Sequence, residues 1–299
     1  MVETSWIRRF LCWFLQVGHT TSRQELLRKG FKTMLLYLVL VVTAFSMLLP
    51  FLWTLSTSLK IPEAVFIYPP QWIPDPVVWE NYPAAWNAVP FGRFFLNSFI
   101  VAISTTLGNV FTSSLAAYAF ARLTFPGRDK IFLVYLATLM VPGQVTMIPV
   151  FVLLKNLGWI DTYQALILPG MFTAYGTFLL RQFFLTIPRE LEEAARIDGC
   201  GVFQIYWRIV LPLSGPALAT LATFVFLGSW NEFLWPLLVV NSMNMKTLPL
   251  GLAGFQNLYG TDWSLLMAAS NMVIMPVLLL YIVNQRFFVK GIIMGALKG

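Results

Sequence analysis

Met34-Leu-Leu-Tyr-Leu-Val-Leu-Val-Val-Thr-Ala-Phe-Ser-Met-Leu-Leu-Pro-Phe-Leu-Trp-Thr-Leu-Ser-Thr-Ser-Leu59 runs its whole length without a charged side chain. A hydrocarbon core takes about 20 mostly apolar helical residues to cross. This stretch exceeds that, and it is the clearest of six such stretches. The others cover about 94–120, 131–153, 164–185, 211–238 and 264–285, with the first bounded at 33–58. The expected fold is therefore an all-α integral membrane protein with six transmembrane helices.

Composition agrees. The chain has 299 residues, 58% of them hydrophobic and only 11% charged, with a mean hydropathy of +0.72. Soluble domains carry about 25% charged residues; here there is too little charge to cover a water-facing surface. The 11 Trp, 10 Tyr and 26 Phe suit a chain with two membrane interfaces. The net charge of +7 does not indicate nucleic acid, because the basic residues form no single patch. They sort by connection. With both termini in the cytoplasm, sixteen of the 20 Lys and Arg fall on the cytoplasmic side, and only Lys60, Arg93, Lys155 and Lys246 fall outside. Six crossings explain that asymmetry; five or seven would scramble it.

The second stretch is rich in Ser, Thr, Gly and Ala, which let helices approach closely in lipid. The third holds Pro142, Gly143 and Pro149, and the fourth holds Pro169 and Gly170. Such breakers are tolerated where neighbours or a watery cavity satisfy the freed backbone. They fit a broken helix beside a transport path or plain kinked packing.

Outward from the spans, residues 1–30 form a separate segment. Trp6, Ile7, Phe10, Leu11, Phe14 and Leu15 recur at helical spacing, opposite Arg8, Arg9, Cys12 and Gln16. This predicts an amphipathic cytoplasmic helix on the inner leaflet in preference to a signal peptide, because the apolar run is short and lacks an A-x-A site. The connection at 60–92 is rich in Pro and Trp, which predicts a structured extracytoplasmic cap facing a partner or simply joining two helices. Cys12 and Cys200 suggest neither a disulfide nor a CxxC metal site, and His19 is the only histidine.

The connection between the fourth and fifth spans reads Ile187-Pro-Arg-Glu-Leu-Glu-Glu-Ala-Ala-Arg-Ile-Asp-Gly199, then Cys-Gly-Val-Phe-Gln-Ile-Tyr-Trp-Arg-Ile-Val-Leu-Pro212. Pro188 suits a helix start, and Glu190 and Glu192 suit its positive end. Glu192 and Arg196 are four apart and can pair. Leu191, Ala194 and Ala195 are expected to share one face, and Gly199 is a natural stop. The segment reads as a short docking helix at the membrane surface.

Here a resemblance becomes specific. Glu193-Ala194-Ala195, three residues, Gly199, nine residues, then Ile209-Val-Leu211-Pro212 is similar to the signature of permease subunits of binding-protein-dependent ABC importers, and Asp198 matches its common form. Asn97-Ser98, Trp230-Asn-Glu-Phe-Leu-Trp-Pro-Leu237 and the tail from Gln285 to Gly299 resemble the carbohydrate branch, in particular the shorter permease of the maltose system. The resemblance covers residues 31–299, which it identifies as one transmembrane domain.

It implies a permease that forms half of a path for a sugar or sugar-like solute across a bacterial or archaeal cytoplasmic membrane. The implied partners are a second permease subunit, two ATPase subunits and an extracytoplasmic solute-binding protein. ATP and Mg would be bound by the ATPase subunits, with no cofactor in this chain. The helix around Glu193–Gly199 would sit in a cleft of one ATPase subunit, and Lys298 and Gly299 would reach between the two.

Glu232 is the only charge assigned to the interior of a span, and intramembrane carboxylates are often functional. With Asn231 it is a candidate for the translocation path or for a structural hydrogen bond; Asn271 is a further candidate of the same kind. A stand-alone secondary transporter or channel is the competing class, but no internal repeat is evident and the docking loop would then lack a purpose. A membrane enzyme would need a catalytic constellation such as HExxH, and the chain has none. It also lacks a GxxxxGK[ST] phosphate loop, so it is not itself the ATPase.

Overall fold

A computed structural model of the chain describes residues 23–257 and 260–296. The amphipathic segment expected at 1–30 lies mostly outside these residues, as do Lys298 and Gly299. Two compact units are present, Met1–Ser56 and Thr57–Gly299. The first unit consists, among the described residues, of one helix that runs on to Ser58: α1, Arg23–Ser58. It carries the uncharged run quoted above.

The second unit is a bundle of helices. They are α2 (Asn81–Ala88), α3 (Phe91–Arg122), α4 (Arg128–Ala137), α5 (Gly143–Asn156), α6 (Tyr163–Ile167) and α7 (Ala174–Phe184). After these come α8 (Glu190–Ile197), α9 (Val202–Ile205), α10 (Gly215–Asn231), α11 (Leu234–Val239), α12 (Leu248–Leu252) and α13 (Trp263–Ala296). A two-residue ladder pairs Gln256–Asn257 with Gly260–Thr261.

Three of the six expected spans are single helices, within α1, α3 and α13, each long and apolar enough to cross a membrane. The other three come in pieces. The third expected span bends by 97° between Met140 and Gly143, and the fifth, near its start, by 78° between Leu213 and Gly215. The fourth is interrupted at Leu168–Met171, which forms a 3-10 turn. Its longest helix, α7, is 11 residues, about 16 Å at 1.5 Å per residue, and is too short to cross alone. Counting each bent pair as one crossing gives five candidate spans among the described residues.

The break in the fourth expected span is held open by side chains of α3. Asn109 Nδ2 donates to Gly170 O at 2.9 Å and to Thr173 Oγ1 at 3.1 Å. Thr112 Oγ1 donates to Met171 O at 2.6 Å. The carbonyls released by the broken helix thus find partners without water, which is what apolar surroundings demand. Close approach is required for this. A Cβ built at Gly176 would lie 2.5 Å from Ser113 Oγ, and one at Gly170 would lie 2.7 Å from Thr105 Cγ2.

Two apolar clusters pack along α3. Near its start, Phe91, Phe94 and Ala102 meet Trp230, Leu248, Leu266 and Ala269. Near its end, Ala117, Tyr118 and Ala121 meet Leu180, Phe184, Ala195, Tyr206 and Leu221. The second cluster carries the connection that sequence singled out.

Candidate functional site

The segment 187–199 folds as expected into a short helix, α8, with Glu190, Glu192 and Glu193 in its first turn and Arg196 in its last. Its stop is a Schellman motif. Gly199 takes φ +82°, Cys200 N–H donates to Ala195 O at 2.9 Å, and Gly199 N–H donates to Arg196 O at 3.0 Å. A side chain at position 199 would meet no neighbour within 4 Å; glycine is required there by the backbone angle, not by space.

Leu191, Ala194 and Ala195 fall on one arc of the helix, as their i, i+3, i+4 spacing requires, but that arc straddles the boundary with the body. Ala195 is buried with Glu192 against the body, while Leu191 and Ala194 are exposed. The outward stripe is instead Glu190, Glu193, Ala194 and Ile197, at the i, i+3, i+4, i+7 spacing of one helix face. Ile197 is 86% exposed, beside the exposed Asp198. The Glu-Ala-Ala triplet is therefore split by the 100° step between residues. Glu193 and Ala194 look outward, and Ala195 gives a small contact inward.

What fastens α8 is an ion pair. Arg122, the last residue of α3, holds Glu192 at 3.0 Å, with side chains only 3% and 5% exposed. The same guanidinium donates to Ile187 O at 2.6 Å and to Phe184 O. Arg122 thus joins α3, the end of α7 and α8 at one point. The expected Glu192–Arg196 pair is present but longer, at 3.9 Å. The reason is geometric: Arg122 is buried beside Glu192, whereas Arg196 is half-exposed. The sequence counted Arg122 only as one cation among sixteen. Its position at the end of an uncharged span was the available signal, but the partner is 70 residues away.

The Ile209–Pro212 part of the motif forms the corner between this connection and α10. Tyr206–Val210 is a π turn, followed by a helical turn at Leu211–Leu213. Pro212 has no N–H to offer the preceding turn, and a π turn is one way the backbone absorbs that defect. The corner is locked by Tyr206 Oη and Ser114 Oγ at 2.8 Å and by Ser214 Oγ donating to Val210 O at 2.6 Å.

The path candidates separate. Glu232 sits in the break between α10 and α11, where its Oε1 accepts the Trp235 N–H at 3.1 Å. It lines a cavity of about 300 Å³ together with Thr105, Asn109, Thr173, Ser229 and Trp235. Thr247 also faces this space, and the buried hydroxyls of Thr105 and Thr247 have no hydrogen-bond partner among the described residues. Asn231 does not line the cavity; it is exposed and donates to Leu227 O at 2.8 Å. Asn271 is buried elsewhere, 3.5 Å from Tyr82 Oη. Sequence reasoning missed the threonines, which are common in this chain and carry no individual signal.

Asn97 and Ser98 hold the far connection. Asn97 Nδ2 donates to Asn244 O and Lys246 O at 2.7 and 2.9 Å, and Ser98 Oγ accepts the Leu248 N–H at 2.7 Å.

Residues 108–293 match the family model described as "Binding-protein-dependent transport system inner membrane component". The chain is 37% identical, over 86% of its length and 94% of the relative's, to the sn-glycerol-3-phosphate transport system permease protein UgpE of Yersinia pestis bv. Antiqua (strain Antiqua). It is 43% identical, over 70% and 75%, to the arabinooligosaccharides transport system permease protein AraQ of Halalkalibacterium halodurans. Among solved structures, a chain of a bacterial ABC transporter involved in the import of the acidic polysaccharide alginate superposes with a TM-score of 0.79. That match covers 90% of this chain and 99% of the other at 22% identity, a likeness of fold.

Proposed function

Because the chain belongs to the family of binding-protein-dependent transport system inner membrane components and is a permease of an ATP-driven importer, we propose that α8 is the element through which an ATPase subunit drives it. The observation that carries this is the pairing of a buried tether with an exposed face. Arg122 and Glu192 bind α8 to the end of α3, while Glu193, Ala194 and Ile197 stay free to meet another protein.

Mechanism follows from that geometry. A push on the outward stripe of α8 passes through the ion pair into α3 and through Ile187 and Phe184 into α7. A flexible loop would dissipate the displacement; a helix closed by Gly199 and tethered at Glu192 moves as one piece with the helices behind it. Closure of two ATPase subunits on ATP would then rock this permease against a second one, an alternating-access motion of rigid bodies. The coupling energy resides in contacts of α8 that differ between the two states.

In this reading the chain crosses a bacterial cytoplasmic membrane six times with both termini inside. Three of the crossings, including the piece through α6 and α7, are broken, and an extracytoplasmic binding protein delivers the solute. The solute class is a sugar or sugar-like compound, supported by relatives named for sn-glycerol-3-phosphate and arabinooligosaccharides. The cavity at Glu232, with Trp235 and several hydroxyls, has the polar and aromatic lining that such a solute needs and is assigned to the translocation path.

The test is a cross-link. Ala194→Cys, in the assembled transporter, is expected to join to a nucleotide-hydrolysing subunit through a short bismaleimide, and the yield should change when ATP is bound. A Thr124→Cys control lies in a different connection. If only the control were captured, or if Ala194→Cys joined nothing, α8 would not be the docking element.

A further inference from the structure

Residues 59–90 link α1 to α3 and contain α2. The depth of this segment is pinned at two places. The ring of Phe66 meets the ring of Trp263 edge-on with centroids 6.0 Å apart, and Trp263 is the first residue of α13. The ring of Trp86 meets that of Phe91 at 5.1 Å, and Phe91 is the first residue of α3. Both helices are apolar enough to cross a bilayer, and each ring pair stands at the first residue of one of them. Backbone ties add to this: Val78 N–H donates to Leu59 O at 2.9 Å, and Asn81 Nδ2 donates to Ser58 O and Lys60 O at 3.0 and 2.8 Å.

Between these pins the chain turns large apolar side chains outward. Tyr68 is 93%, Ile73 83% and Trp79 66% exposed. The connection that contains α12 differs. In the stretch from 240 to 256, which leads toward the same end of α13, Met243 is the exposed large hydrophobic residue, and Phe255 is buried. The backbone is suited to a poorly hydrated place, since Pro69, Pro70, Pro74 and Pro76 carry no N–H that would need a partner. The charges of the connection are Lys60, Glu63, Asp75 and Glu80; Lys60 is buried, so the charges left at the surface are acidic, which disfavours an anionic lipid surface.

We propose that residues 66–79 are an interfacial anchor lying along the headgroup–acyl boundary of a zwitterionic leaflet, with Tyr68, Ile73 and Trp79 inserted among the lipids. Tyr and Trp are at home there because one end of the ring is apolar and the other can be wet. The proposal rests on the membrane crossings of α3 and α13 and is independent of the solute and of the ATPase contact.

The experiment uses the assembled transporter in nanodiscs of phosphatidylcholine. Tyr68→Cys, Ile73→Cys, Trp79→Cys and, as a reference, Met243→Cys are each labelled with bimane after Cys12→Ser and Cys200→Ser. Lipids brominated near the top of the acyl chain should quench the labels at 68, 73 and 79 at least about threefold more than at 243, with aqueous iodide giving the reverse order. Quenching by iodide as strong as at 243 would put the segment in water. Shielding from both quenchers would mean that a protein partner covers it. Either result overturns the proposal, and because the three positions report separately, one poorly assembled variant does not decide it.

Discussion

The two connections that matter most in this molecule are fastened in opposite ways. That at 185–201 depends on one buried charge pair, Arg122–Glu192, to which nearby carbonyls are also bonded. That at 240–248 is held by several separate hydrogen bonds from two places: Asn97 and Ser98 on α3, and the reciprocal bonds of the Asp161 carboxylate between α5 and α6. Asp161 N–H donates to Val239 O at 2.8 Å, while its Oδ1 accepts the N–H groups of Asn241 and Ser242 at 2.9 and 3.0 Å. A single strong joint transmits displacement but fails when one partner is lost. Distributed bonds hold shape and fail gradually. The first suits a lever, the second a fixed rim.

The sharpest way to break this comparison is Arg122→Ala. It strands a buried carboxylate, and removing one partner of a buried pair costs about 3–5 kcal/mol. Thermal unfolding in mild detergent should register that loss, together with loss of uptake. Arg122→Met combined with Glu192→Leu should recover most of the stability. If Arg122→Ala cost no more than a substitution at the other connection, the contrast would collapse.

Asn97→Ala is the matching test on that side. It removes two hydrogen bonds to carbonyls and the acceptor of Tyr163 Oη at 2.7 Å. These groups are only part-buried, so each lost bond costs about 0.5–1.5 kcal/mol net, and with the bonds from Ser98 and Asp161 still in place the total should stay below that of Arg122→Ala.

Next is Gly199→Val. The φ of +82° costs a branched residue about 1–2 kcal/mol, so the protein should still insert and fold, while uptake is blocked because the end of α8 is displaced. Normal uptake by this variant would separate the Schellman stop from coupling.

The smallest effect concerns pH. Burial raises the pKa of Asp161, but the hydrogen bonds from Ser242 and Asn241 together outweigh it and leave the group below its ordinary 3.8. The folded state therefore binds the proton less readily than the unfolded one. The resulting stability is fully present above pH 3.8 and is lost as pH falls through the lower folded value. Wild type should lose this contribution on acidification, and Asp161→Asn should not; asparagine tolerates the positive φ of 64° at this position. Equal acid sensitivity of the two proteins would remove Asp161 from the rim.

Much of this was legible in the chain itself. Runs such as Met34–Leu59 declare a lipid solvent, because no arrangement of so few charges covers a soluble surface. The Glu193–Gly199–Pro212 spacing declares a short helix, a stop and a corner, since capping charges, a left-handed glycine and a proline each act locally. Hydropathy could not decide whether a long apolar stretch is one helix. Residues 164–185 are apolar throughout most of their length, yet they form separate pieces because Asn109 and Thr112 of α3 accept the role of bonding the freed carbonyls. The same limit applies to α8. Its outward face follows from the 100° step once the helix is drawn, but which face is inward was decided by Arg122, 70 residues earlier in the chain.

What the sequence determined alone, then, is whatever rests on short-range chemistry and solvent preference: the membrane class, the ends of α8, and the positions where helices are able to break. Only the tertiary structure decided where they do break, which side of the Glu-Ala-Ala helix faces the body, and which polar residues share a cavity with Glu232. The physical reason is that a buried charge or a freed carbonyl must be satisfied by whichever group the fold brings within about 3 Å, and nothing in the spacing along the chain specifies that neighbour.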